Sequence, residues 1–134
     1  MGYVKRIIDK IMSLQDKLDI PELREYRRAG EGRVGLLRVV GAGGESVLLK
    51  VENGRLVYAR GDETPHHVFT CSVDTFLDLI TGEMDLRDAI TMGYFVIESA
   101  ATGEIDLVEL ERWARAFERL RWIIDRYVRG VIPL

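Results

Sequence analysis

The chain has 134 residues, 47% of them hydrophobic and 31% charged, and 19 basic against 22 acidic side chains leave a formal charge of -3. A chain of this size buries about two-thirds of its unfolded surface in one domain, so it needs neither disulfides nor a structural metal. The composition is too apolar for a disordered chain and too acidic for a dedicated nucleic-acid binder, and no apolar run nears the ~20 residues of a membrane span.

The opening residues, MGYVKRIIDK, mix charge with apolar groups every few positions and so lack a signal-peptide h-region. The one cysteine, Cys71, rules out an internal disulfide and fits a reducing compartment. A soluble, cytoplasmic, single domain over residues 1–134 is expected. Arginine far outnumbers lysine, and Gln15 and Asn53 are the only side-chain amides. That habit suits a thermophile and suits a GC-rich genome as well.

Along the chain, Val4, Ile7, Ile8, Ile11, Leu14 and Leu18 recur at helical spacing, which predicts an N-terminal helix within residues 1–20 that Pro21 limits. Residues 22–32 read as a helical turn and a connection. The period then shortens. Arg33 to Val40, Ser46 to Glu52 and Leu56 to Arg60 read as three antiparallel strands, joined by Gly41-Ala42-Gly43-Gly44 and by Asn53-Gly54. Asn-Gly is a strong hairpin signal because both central positions of a type I′ turn need positive φ. A loop over 61–66 leads to a fourth strand, His67 to Cys71.

Two short helices come next. Ser72 can cap the first, which carries Phe76, Leu77, Leu79 and Ile80 and stops at Gly82. Asp85 can cap the second, with Leu86, Ala89 and Ile90 inward and Gly93 at its end. Tyr94 to Glu98 reads as the fifth strand. Asp106 and Glu109 have capping-box spacing and open a C-terminal helix over about 105–129. On it Leu110, Trp113, Phe117, Leu120, Ile124 and Tyr127 form an apolar stripe, and Glu111–Arg115 and Asp125–Arg129 are favourable i,i+4 pairs. Trp122 falls outside that stripe among arginines, which allows a homodimer through this helix. The class is α+β with no βαβ alternation.

Chemistry-bearing motifs are scarce. Gly41 to Gly44 precedes a strand, so it is a turn rather than a phosphate loop. His66 and His67 point to opposite faces of an extended strand, and Cys71 lies roughly 13 Å beyond His67, too far to share one tetrahedral metal site. No Gly-x-Ser-x-Gly element is present, and no base stands ready for Ser72 or Cys71. Neither a catalytic residue, a metal nor a cofactor is expected. An enzyme would need His67 beside a carboxylate, which the sequence does not reveal.

Phe76-Leu77-Asp78-Leu79-Ile80-Thr81-Gly82, then Met84-Asp85, then Ala89-Ile90-Thr91-Met92-Gly93 and finally Phe95 and Ile97 resemble the core of the sterol carrier protein 2 family. Val51-Glu52-Asn53-Gly54 resembles its upstream strands. His66-His67 and Ser99 depart from it, where the family often has Ala-Asp and Gly. The resemblance implies a five-stranded, mostly antiparallel sheet over 33–99, covered on one face by helices, to which this chain adds its long C-terminal helix. It also implies a tunnel for sterols, fatty acids or fatty acyl-CoA. The expected lining is Phe69, Phe76, Ile80, Met84, Ile90, Phe95 and Ile97, with Trp113 and Phe117 from the last helix either roofing or filling the space. The alternative is a structural or self-associating module that keeps the fold with its pocket closed.

Overall fold

The structure, a computed structural model, describes residues 3–15, 17, 21–123 and 125–126. Helix α1 (Tyr3–Leu14) buries Val4, Ile7 and Ile8, one face of a 3.6-residue repeat. Leu18, expected to extend that face, lies outside the described residues. Gln15 follows the helix and acts as a piece of strand. Its Nε2 donates to Leu56 O at 2.8 Å and its Oε1 accepts from Leu56 N at 2.9 Å, which satisfies the sheet edge. The segment read as a turn and connection is instead a nine-residue helix, α2 (Pro21–Ala29). Pro21 serves as its first residue, where a missing N–H costs nothing.

Strands β1 (Val34–Val40), β2 (Ser46–Glu52), β3 (Arg55–Tyr58), β4 (His67–Ser72) and β5 (Phe95–Ser99) form one sheet in the order β3-β2-β1-β4-β5. Three of its pairings are antiparallel, and β1 with β4 is parallel. The β2–β3 turn has positive φ at Asn53 (55°) and Gly54 (73°), as its Asn-Gly signal requires.

Helix α3 (Val73–Thr81) starts where Ser72 Oγ accepts from Thr75 N at 3.1 Å and ends at Gly82 with φ 80°. Helix α4 (Leu86–Thr91) follows Asp85, which makes no side-chain cap and faces Arg121 Nη1 at 3.4 Å instead. Helix α5 (Leu107–Arg119) is capped by Asp106, whose Oδ1 accepts from Glu109 N at 3.0 Å. The expected box stays half made: Asp106 N donates to Ile97 O, and the Glu109 carboxylate turns elsewhere. The C-terminal helix is also interrupted. Leu120 leaves helical geometry, and a single turn, α6 (Arg121–Ile123), resumes beyond it. Residues 124 and 127–134, with Ile124, Tyr127 and Arg129 of the expected stripe and pair, lie outside the described residues. Asp125 pairs with Arg121 at 3.8 Å.

Side chains of Val39, Val47, Cys71, Phe95 and Ile97 share one sheet face and join Val4, Ile7, Ile8, Phe76, Leu79, Leu86, Ala89 and Leu110 of the helices in one buried cluster. The other face carries Leu36, Leu48, Val57 and Val68 half-buried, with Lys50 held by Glu52 at 2.7 Å and Glu63 at 2.9 Å.

Candidate functional site: an apolar trough beside a polar rim

The helix-covered face can be read row by row from the strand register. Val39, Cys71 and Phe95 make one row, and all are buried. Val47, Leu37, Phe69 and Ile97 make the next, with the outer two buried and the central two half-buried. Tyr58, Leu49, Gly35, His67 and Ser99 make the last, and none of them is fully buried. Cover is therefore complete at one end of the strands and thins towards the other.

Phe69 organises the thin end. Its ring meets Trp113 edge-on at 5.2 Å, Phe95 at 6.3 Å and His67 at 6.5 Å. It also leans over Gly35, where a Cβ would stand 3.5 Å from Phe69 Cε1. A glycine inside a strand commonly marks such a close approach. Offset or perpendicular ring pairs of this kind are worth about 0.5–1.5 kcal/mol beyond burial.

A polar rim borders the aromatic group. His67 Nε2 lies 3.3 Å from Asp106 Oδ2. The backbone N–H of Glu109, then His67, hold the Asp106 carboxyl below its ordinary pKa. Glu109 is buried and accepts from Arg33 Nη1, Arg112 Nη1 and Trp113 Nε1, each at 3.2 Å. That carboxylate ties Arg33, just before β1, to α5 and fixes the indole against Phe69. The His67–Asp106 pair, the polar feature an enzyme would require, joins residues 39 positions apart and is not legible from local spacing. Ser99, its cross-strand neighbour, makes no hydrogen bond to the imidazole. Burial pushes the Cys71 thiol up to about 11, far from a nucleophilic thiolate. His66 turns away, its Nδ1 accepting from Val34 N at 3.1 Å.

Among the nine residues expected to line a ligand site, Phe76, Phe95 and Ile97 are buried in the core cluster. Phe69, Ile80, Met84, Ile90 and Phe117 are half-buried and packed against it. Trp113 remains 42% exposed above Phe69. Gly35, Leu37 and Leu49, and the rim residues Arg33, Asp106 and Glu109, are not among those nine. A glycine within a valine- and leucine-rich strand was the one available signal. Two clefts open elsewhere. One, of about 560 Å³, is lined by arginines around the β2–β3 turn, and one of about 350 Å³ lies beside Leu107 and Val108. Neither draws on the nine residues.

A five-stranded mixed sheet covered on one face by helices is an architecture shared with known proteins. The model of the SCP-2 sterol transfer family matches residues 11–99. The chain belongs to that family, which places it among lipid-binding and lipid-transfer domains in general. No curated protein matches it in sequence. Among solved structures it is similar to "UbiJ-SCP2 Ubiquinone synthesis protein", at 14% identity and TM-score 0.62 over 88% of this chain and 98% of that one. It is also similar to sterol carrier protein 2 of Yarrowia lipolytica in its apo form, at 16% identity and TM-score 0.58 over 84% and 87% of the two chains. Palmitated SCP2L2 of Aedes aegypti is similar at 15% identity and TM-score 0.54, over 86% and 93%. At these identities the likeness establishes the fold. Among the described residues no helix is long and apolar enough to cross a membrane.

Proposed function

We propose that the chain is a non-catalytic, cytoplasmic carrier that binds a lipid or another elongated apolar ligand, of the fatty acid, fatty acyl-CoA or sterol class, against the helix-covered sheet face. The observation that carries this reading is the half-burial of Leu37, Leu49 and Phe69 in mid-face, where a closed core would leave them dry. Apolar surface facing water there is what an acyl chain or ring system covers. Phe69, Phe76, Ile80, Met84, Ile90, Phe95 and Ile97 form the walls, with Trp113 and Phe117 as the roof. Met84 suits such a wall because its side chain adapts to irregular shapes. Membership of a sterol transfer family and a fold shared with a palmitated protein support the assignment.

Burying roughly ten methylenes at ~0.8 kcal/mol each gives about 8 kcal/mol gross, and association costs bring affinity to around micromolar. Native mass spectrometry of gently purified protein should show a bound lipid, and a fluorescent fatty acid should titrate at micromolar concentration. Failure of both overturns the proposal.

A second reading, self-association through the C-terminal helices, is favoured by the exposure of Leu107 and Val108 (74% each) and Trp122 (46%) along them. It predicts a dimer in sedimentation that Trp122→Ala or Arg119→Glu weakens. A monomer at high concentration contradicts it.

A further inference from the structure

The cleft of about 560 Å³ does not share its walls with the trough, and its chemistry is of another kind. Among the described residues, Arg24, Arg27 and Arg28 of α2 and Arg55 of β3 line it, against one carboxylate, Glu31. Both Glu31 oxygens are already committed, accepting from Asn53 N at 2.8 Å and Gly54 N at 2.7 Å, where they brace the turn.

Several other arginines are matched. Arg87, Arg112, Arg115 and Arg121 each hold a carboxylate. Arg27 and Arg28 make no ion pair with a described residue, and Nε of Arg27 is buried without an acceptor. An orphaned charged donor costs stability, and folded proteins rarely keep one without a reason. Two cations in the last turn of α2 do favour the helix dipole. The dipole does not account for a buried Nε lacking a partner.

Guanidinium forks match tetrahedral oxyanions, donating pairs of hydrogen bonds at fixed geometry. The volume exceeds that of a bare phosphate and lies within the range of small-molecule sites. We infer that this cleft is an anion site for a phosphate ester, free or on a lipid headgroup, with Arg27 and Arg28 as its principal donors. This stands independently of the apolar trough.

The test uses the full chain, inorganic pyrophosphate as the soluble probe, and phosphatidylcholine vesicles with and without phosphatidic acid. Calorimetry should detect pyrophosphate binding, vesicle co-sedimentation should require phosphatidic acid, or both should occur. The R27Q/R28Q double variant should weaken whichever response occurs by about tenfold or more, while R38Q, at a residue that does not line the cleft, leaves it unchanged. Pyrophosphate binding alone assigns the site to free phosphate esters, and vesicle binding alone assigns it to headgroups. The inference is overturned if neither probe binds, or if R27Q/R28Q binds as the parent does. Fatty-acid titration of the same double variant should be unchanged, which separates a failure here from a failure of the carrier reading, and circular dichroism confirms that it folds.

Discussion

The two ends of the helix-covered face differ in one respect. At the Val39–Cys71–Phe95 end, the sheet meets the helices with every side chain buried. At the Leu49–Gly35–His67 end, the same strands carry half-buried apolar groups beside an ionic rim. Both ends come from the same alternating strands, so the pattern of residues is not what separates them. The difference lies in what covers them. On the proposed carrier reading, stability resides where cover is complete and a ligand binds where cover thins.

The largest effect should come from the closed core. Leu86 is 2% exposed, and Leu86→Ala should cost about 2–5 kcal/mol in urea unfolding while leaving probe affinity of the folded fraction intact. Equal loss of affinity would mean the two ends are not separable. Phe69→Ala, at the open end, should cost less stability, about 1–2 kcal/mol, and should weaken fatty-acid binding about tenfold or more. Buried Cys71 supplies a kinetic version of the contrast. With its thiol pushed up to about 11, it should resist alkylation at pH 8 in the parent and react faster in Leu86→Ala.

Acidification should give the smallest effect, and at the rim. Asp106 has its pKa lowered by the Glu109 backbone N–H and by His67, so its contribution is complete above the ordinary value of 3.8 and is lost as pH falls through the lowered one. Fraying of α5 below pH ~4, followed by Trp113 fluorescence, is the expected result. Asp106→Asn keeps a cap and should remove that pH step.

What could be read from the sequence was local. Ser72, Gly82 and Asn53-Gly54 act through near neighbours, and each does in the structure what its residue type dictates. Asp85 had the same credentials as Ser72, yet Arg121, distant in sequence, takes its carboxylate. Pro21 was read only as limiting the first helix, which ends before it at Leu14, and it also opens α2, because proline is tolerated at either boundary. The apolar stripe ran straight through Leu120, so nothing local announced the break there. In the candidate site, Phe69 and Trp113 were named from the sequence, and their rings meet edge-on. Leu37 and Leu49 were not, since an alternating strand looks the same whether a helix covers it or not. Arg33 and Glu109 meet across 76 positions, a pairing that no spacing rule anticipates.

Gly35 offers the most direct test of the central claim. Its backbone is not in the left-handed region, and a Cβ there would make an ordinary contact with Phe69, so Gly35→Ala should fold with unchanged or higher Tm. Fluorescent fatty-acid titration of the parent and of Gly35→Ala should show micromolar binding in the first and a drop of about tenfold in the second. Equal affinity in the two proteins would contradict the account and place any ligand elsewhere.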